Sequence, residues 1–401
     1  MTGWLSIIGM GEDGRSGLSP RALSLLCDAE VVVGSRRLLA LAGETAAERH
    51  EWPQPFSAVV DRIRPLRGRR TVVLATGDPL HFGVARKLME IVPFEEMEIV
   101  PHLSSFSLAA ARMGWPLGDC DTITLHGRPA AGIEGFIQPG ARILALTADG
   151  STVAEVARRL VARGYGASDM TVLENMGGPR EDCFRFRAED IPERSFSDLN
   201  TLAVRCRPGP GAALLPRVPG LPDEAFVHDG QLTKREVRAA TLAALAPYPD
   251  ALLWDVGAGC GSIAIEWMRA ARGARAIAFE RDAQRLRMIG ENAERLGAPR
   301  LKVVAGAAPA SLSGQEAPDA VFIGGGMGIH GVFEDSWAAL KPQGRMVANV
   351  VSLEGELHLV DLQEKHGGDL VRLDVSCLTR IGSLRALRPR LAVLQWRAVK
   401  P

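Results

Sequence analysis

Leu252-Leu253-Trp254-Asp255-Val256-Gly257-Ala258-Gly259-Cys260-Gly261-Ser262-Ile263-Ala264-Ile265-Glu266 begins as a short apolar run and ends in a helical pattern, with a glycine turn between. Glycine tolerates positive φ and lets backbone approach a ligand closely. A strand, a glycine turn and a helix N-terminus make a nucleotide-sized pocket at the carboxyl edge of a parallel sheet. The next apolar run, Ala274 to Phe279, ends in Glu280. That acid stands about 20 residues past the turn, where ribose hydroxyls are usually held. A dinucleotide site wants G-x-G-x-x-G. Here the third glycine, Gly261, comes one residue early, and Ser262 follows it. An ordinary strand-to-helix turn has no use for three alternating glycines, which lose backbone entropy on folding and give no packing in return.

With Asp255 two residues ahead of Gly257, the turn has the form D-x-G-x-G-x-G, which resembles that of class I S-adenosylmethionine-dependent methyltransferases. The resemblance implies a Rossmann-like domain that binds S-adenosylmethionine through Asp255, Gly257, Gly259, Gly261, Ser262 and Glu280. In such enzymes the loop after the third strand usually carries an acid beside the adenine. Ala307 stands there, followed by Ala308, so adenine recognition is expected from backbone amides. The fourth strand, Pro318 to Ile323, ends in Gly324-Gly325-Gly326 rather than in the Asn-Pro-Pro-Tyr type of motif that holds an amine. A triple glycine leaves room for a bulky flat substrate and suits methylation at carbon.

The 401 residues predict two or three domains. At 46% hydrophobic and 23% charged, the chain has enough apolar residues for two cores. Zero net charge argues against a general nucleic-acid binder. No apolar run has the length of a membrane span. Met1 to Gly14 lacks a charged region followed by a long apolar one, so no signal peptide is expected. Six cysteines lie far apart without a C-x-x-C pair, so neither a zinc site nor a disulfide framework is predicted. Free thiols and a cytoplasmic location follow.

Strands alternate with helices through the N-terminal half, which predicts a parallel α/β sheet. Leu5 to Met10, Val31 to Gly34, Thr71 to Ala75 and Glu98 to Val100 read as strands. Ser19-Pro20 and Ser104-Ser105 open helices. Gly9-x-Gly11, Val33-Gly34-Ser35, Thr76-Gly77-Asp78-Pro79, His102-Leu103-Ser104-Ser105 and His126-Gly127-Arg128 follow one another in the order found in the tetrapyrrole methylase family, the class III methyltransferases. The resemblance covers about Leu5 to Arg205 and implies two α/β lobes around a cofactor cleft. It also implies cofactor contacts at the Gly77-Asp78-Pro79 turn with Phe82 and Gly83, at Ser104 and Ser105, and at the strand end Leu146-Thr147. His102, His126 and Arg128 are candidates for substrate contact. Glu12 and Asp13 stand where the family usually has proline, so the first loop is expected to shape the tetrapyrrole cleft rather than hold cofactor. Ser151 is expected to cap the helix Thr152 to Arg163, with Glu155 and Arg159 on one face.

Five prolines and three glycines between Arg207 and Asp223 exclude regular structure and predict an extended, semi-rigid linker. The expected domains are therefore 1–207 (lobes of about 1–118 and 119–207), a linker at 208–223, and 224–401. Thr233 with Glu236 fits a capping box. The Thr233-Lys234 pair, together with the glycine turn, resembles the decarboxylating precorrin methyltransferase subunit of cobalamin synthesis, in which such a pair opens the domain. Thr233 thereby joins the expected cofactor site. Arg380, Arg385, Arg388 and Arg390 are read as one loop between the last two strands. They form a possible cradle for substrate carboxylates, since arginine pairs these bidentately, and Arg385 and Arg388 are the candidates taken from it.

The two resemblances together imply transfer of two methyl groups from two S-adenosylmethionine sites, one per half, to carbons 5 and 15 of precorrin-6, with loss of the ring C acetate carboxyl at carbon 12, giving precorrin-8. Carbon 5 is expected of the N-terminal half, and carbon 15 with decarboxylation of the C-terminal half. The expected partners are the tetrapyrrole and further copies of the chain, with no nucleic acid, membrane or metal. No residue is singled out as catalytic, and no classical triad is present. Two other readings stay open: a transfer-RNA adenine methyltransferase in the C-terminal half, and a carrier that only binds a tetrapyrrole.

Overall fold

The computed structural model describes residues 3–53 and 58–401. Met1 and Thr2, where the reading of the N-terminus begins, lie outside them. The chain divides into two compact units, 1–130 with 139–212 and 131–138 with 213–401.

The first unit holds two five-stranded sheets. One is wholly parallel, built from Leu5–Met10, Val31–Gly34, Glu48–Glu51, Thr71–Thr76 and Met97–Val100, in the order 3-2-4-1-5. Its central strands are buried along their length except at Thr76, which explains their continuous apolar runs. All five strands end at one edge, and the loops there converge. The Gly77 amide donates to the Met10 carbonyl at 2.9 Å, and the His102 amide donates to the Gly77 carbonyl at 3.3 Å. Gly77 sits at φ 61°, and a Cβ on it would come within 3.1 Å of the Leu103 carbonyl.

The second sheet departs from the parallel expectation. Its strands Asp121–Thr124, Arg142–Leu146, Asp169–Glu174, Asp182–Arg187 and Asn200–Arg205 run in the order 1-2-5-3-4, and only the first pair is parallel. The loop 175–181 returns the chain as a hairpin, which needs no helical crossover. The helix Ser105–Met113 packs here, sharing a core of Phe106, Ala109, Leu144, Leu173 and Ala203. Ser151 does not cap the helix Thr152–Ala162. Asp149 takes that role, accepting from the Ser151 and Thr152 amides at 2.8 and 3.1 Å. A carboxylate is a stronger acceptor than a hydroxyl at a helix start.

The second unit is a seven-stranded sheet in the order 3-2-1-4-5-7-6. Its parallel strands are Leu252–Val256, Arg275–Glu280, Lys302–Ala305, Ala320–Ile323 and Arg345–Val350. Val393–Val399 and Asp369–Leu373 complete it antiparallel. Two buried clusters cover its faces, one around Trp254, Phe279 and Trp396 and the other around Leu253, Trp267 and Phe322.

Two further expectations are corrected in this unit, the capping box and the arginine loop. The helix Arg235–Leu245 has Lys234 at its N-cap with no side-chain cap, so the Thr233–Glu236 box does not form. Instead the Thr233 carbonyl accepts from the guanidinium of Arg238, a fully buried residue. The proline-rich stretch has no α-helix or strand and is packed, with Leu215 and Leu221 buried in a core with Ile265 and Leu296. Glu266 accepts the Gly220 and Leu221 amides, and Arg269 donates to the Leu215 carbonyl at 2.7 Å. The arginine stretch is not a loop but an antiparallel hairpin of Ser376–Ile381 and Leu384–Pro389 that sets Arg380 directly opposite Arg385.

The segment Ala131–Gln138 also belongs to this unit. Ile133 and Ile137 are fully buried, and Gln138 donates to the Leu215 carbonyl at 3.2 Å. Gly297 ends the helix Ala283–Leu296 at φ 82°, and a Cβ there would lie 2.8 Å from the Gly135 nitrogen.

Candidate functional site

The strand order reverses between Leu252–Val256, which connects toward one sheet edge, and Ala320–Ile323, which connects toward the other. Such a switch point opens a crevice at the carboxyl ends of the strands. A cleft of about 970 Å³ lies there. Asp255, Gly257, Gly259, Ser262, Glu280, Ala307, Ala308 and Thr233 all line it, so one place gathers most of the second set of expected site residues. Gly261 is the exception. At φ 81° it precedes the helix Ser262–Ala270, and a Cβ on it would meet Ile289 at 3.2 Å, so this glycine serves helix packing.

Each glycine has its own reason. Gly257 and Gly259 hold φ of 72° and 59°, where a side chain is strained. A Cβ on Gly257 would sit 3.1 Å from the Gly325 carbonyl across the crevice. One on Gly259 would sit 3.3 Å from the Gln231 carbonyl. Glu280 is nearly buried and fixes the turn: it accepts the Gly259 amide at 2.9 Å on one oxygen, and the Arg281 and Asp282 amides at 2.9 and 3.0 Å on the other.

Asp255 is 1% exposed. One carboxylate oxygen accepts the Ala264 amide at 3.0 Å, and Oδ1 has no hydrogen-bond partner. Burial pushes its pKa from 3.8 up to about 7, the Ala264 amide opposes this, and the charge of Glu280 adds to it. A buried acceptor without a donor on a cleft wall is costly alone and is satisfied by a ligand that brings one. The residues present fit a cofactor of the S-adenosylmethionine type: an acceptor for a cationic group, a ribose-side acid, and glycines that admit close approach.

Sequence reasoning named neither Arg285 nor Asn349 among the residues of the cleft. Gln231, Lys234, Arg285, Asn349, Val350, Val351 and Arg390 also line it. Arg285 donates to Asp229 at 2.8 Å and to the Gln231 side chain at 2.9 Å, which holds the Asp229–Thr233 loop near the glycine turn. No local motif marks these contacts, because the partners are more than fifty residues apart. Of the four clustered arginines, only Arg390, which follows the hairpin, lines the cleft, and it pairs with Glu236 at 3.2 Å. Arg385 and Arg388 stand exposed on the hairpin.

In the first unit, the Gly77-Asp78-Pro79 turn and the Ser104–Ser105 helix start come together at the parallel-sheet edge. A Cβ on Gly77 would be 3.2 Å from the Ser104 Cα. The Leu80 amide donates to Asp78 at 2.9 Å, which fixes the turn. Ser104 caps its helix, accepting the Ser107 amide at 3.1 Å. Gly83 follows Phe82, which is half-exposed. Leu146 packs against the core that holds the Ser105–Met113 helix. The Thr147 hydroxyl donates to the Asn200 carbonyl at 3.3 Å and is buried. His102 points inward, with Nε2 at 3.2 Å from the Gly17 carbonyl and 3.7 Å from Asp13. His126 and Arg128 are exposed, and the Arg128 guanidinium lies over the Phe82 ring at 5.7 Å. Glu12 pairs with Arg37. Among the described residues, no helix is long and apolar enough to cross a membrane.

The sheet order, the glycine turn and the acid after the second strand define the second unit as a class I methyltransferase. Family models match both parts of the chain: "Precorrin methyltransferase domain" over residues 224–400, and "Tetrapyrrole (Corrin/Porphyrin) Methylases" over residues 5–192. A Sinorhizobium protein named precorrin-6Y C(5,15)-methyltransferase [decarboxylating] is 44% identical over 98% of this chain and 95% of its own length. A Mycobacterium tuberculosis protein of the same name is 39% identical over 98% of this chain and 99% of its own. The crystallised C-terminal domain of a Rhodobacter capsulatus precorrin-6Y C5,15-methyltransferase is 44% identical, covering 46% of this chain and all of that one at a TM-score of 0.44. The chain belongs to the precorrin-6Y C(5,15)-methyltransferase (decarboxylating) family.

Proposed function

We propose that this protein transfers two methyl groups from S-adenosylmethionine to carbons 5 and 15 of a precorrin and releases the ring C acetate carboxyl as carbon dioxide, a step of cobalamin synthesis. The observation that carries the reading is near full-length similarity to proteins of that name, joined to a cleft whose residues fit the cofactor. The finer assignment gives each unit its own cofactor site. The first unit, with Gly77, Asp78, Ser104 and Ser105, serves carbon 5. The second, with Asp255, Gly257, Gly259 and Glu280, serves carbon 15 and the decarboxylation.

S-adenosylmethionine, when bound, supplies a methyl already activated on a sulfonium, so positioning is the main demand on the protein. In the second unit Asp255 offers its free oxygen to a cationic group, and Glu280 holds the turn in shape. Gly324-Gly325-Gly326 keep the substrate side of the crevice free of side chains. Lys234 and Arg390 are cations on the same cleft and suit carboxylate arms. Decarboxylation breaks the bond between the acetate methylene and its carboxyl. The electron pair passes into the conjugated ring, and a proton from solvent completes the methyl group.

The transfer-RNA and carrier readings find no support in these relatives. Calorimetric titration with S-adenosylhomocysteine tests the two-site claim. Two binding events per chain are expected, one of them lost in Gly257→Leu; a single event in the unaltered protein contradicts it.

A further inference from the structure

Phe82 lies in the left-handed region at φ 59°. Four other non-glycine residues among those described share a positive φ: Asn175, Ala246, Asp250 and Gln343. Asparagine and aspartate tolerate this region, and Ala246 ends a helix, where such a conformation is usual. A bulky aromatic has no such excuse, and strain of this kind persists where the surroundings hold it for a purpose.

The surroundings do hold it. His81 stacks on Phe82 at 5.2 Å and lies 4.5 Å from Phe106, which is itself buried. Phe82 meets Phe106 edge-on at 5.9 Å. The result is not a core contact, since Phe82 remains 46% exposed. The same turn exposes Leu80, and the neighbouring loop exposes Leu103. Arg128 brings a cation to the ring at 5.7 Å. An exposed aromatic fixed on a buried one, with a long, flexible guanidinium side chain over its ring, suits a flat conjugated ligand that carries carboxylates.

We infer that Phe82 is the stacking platform for the tetrapyrrole in the first unit, and that Arg128 takes one of its carboxylate arms. The inference rests on the precorrin reading above. It also moves Phe82 from the cofactor to the substrate. Phe82 and Arg128 are then specificity-determining residues, and Gly77, Asp78 and the serine pair remain with the cofactor.

The test uses the full chain, with a metal-free octacarboxylate porphyrin as probe, followed by absorption titration, and with S-adenosylhomocysteine titrated separately by calorimetry. Phe82→Ala is expected to weaken one porphyrin-binding event about five- to a hundredfold, the range for losing one aromatic stacking partner. Phe82→Tyr retains it. Arg128→Gln weakens it and reduces its salt dependence. S-adenosylhomocysteine affinity is unchanged in all three. Phe82→Gly removes the strain, so its thermal midpoint is expected to rise while porphyrin binding falls. A purely structural phenylalanine predicts the opposite change in midpoint. Unchanged porphyrin binding in Phe82→Ala overturns the inference and leaves the precorrin reading standing. Parallel loss of both ligands returns Phe82 to the cofactor site and likewise overturns it. Failure of the unaltered protein to bind any carboxylated tetrapyrrole overturns both.

Discussion

Asp255 combines burial, an unpartnered oxygen and a raised pKa in one side chain. Folding lifts its pKa from 3.8 to about 7, so the folded protein binds the proton more tightly than the unfolded chain. This group's contribution to stability is therefore full below about pH 4 and is lost as the pH rises to about 7. Denaturant titrations across that range should show the loss in the unaltered protein and a flatter profile in Asp255→Asn. A cationic ligand favours the ionised form. S-adenosylhomocysteine binding at the second unit should then tighten with pH up to about 7, by at most about tenfold per unit, and Asp255→Asn should abolish the trend. Gly257→Ala tests the crevice itself. Its positive φ and the 3.1 Å approach to Gly325 predict weaker cofactor binding by about tenfold or more, on a strain of about 1–2 kcal/mol. Asp255, these glycines and Glu280 were legible because one strand, one turn and the next strand carry them all.

The helix Arg235–Leu245 shows where legibility ended. Thr233 and Glu236 had the spacing of a capping box, but the local signal lost to a buried charge. Arg238 donates to Glu266 at 2.6 Å, to Asp223 at 3.1 Å, and to the Leu221 and Thr233 carbonyls. It thereby ties the proline-rich stretch and the cleft loop to the helix Ser262–Ala270. Its partners lie up to twenty-eight residues away, so no window of sequence announces it. Removing one partner of a buried pair leaves the other charge unpaired. Arg238→Met is expected to destabilise the second unit by about 3–5 kcal/mol in urea. The hairpin Ser376–Pro389 was missed for a related reason. Its arginines pointed to a loop, whereas the pairing of Leu378 with Leu387 and Ile381 with Leu384 makes strands. The serine caps at Ser19 and Ser104 were read correctly because their start signals are local.

At the scale of the molecule, the two glycine-turn patterns told the two halves apart. They did not reveal that Ala131–Gln138 packs with the second unit. Ile133 and Ile137 are fully buried, and only the folded contacts group their segment with residues 213–401. A fragment of residues 213–401 lacks both. Each buried isoleucine is worth about 1.5–3 kcal/mol, so this fragment should unfold at lower urea than the same unit in the full chain. Separated halves are therefore poor reagents for dividing the chemistry, and point variants in the full chain are better. The most direct measurement is mass spectrometry of the product formed from a metal-free precorrin with S-adenosylmethionine by the full chain, Gly257→Leu and Gly77→Leu. The account predicts two added methyl groups and loss of one carbon dioxide for the unaltered protein. It predicts no carbon dioxide loss for Gly257→Leu, and one methyl with carbon dioxide loss for Gly77→Leu. A decarboxylated product from Gly257→Leu would contradict the assignment of that chemistry to the Asp255–Glu280 cleft.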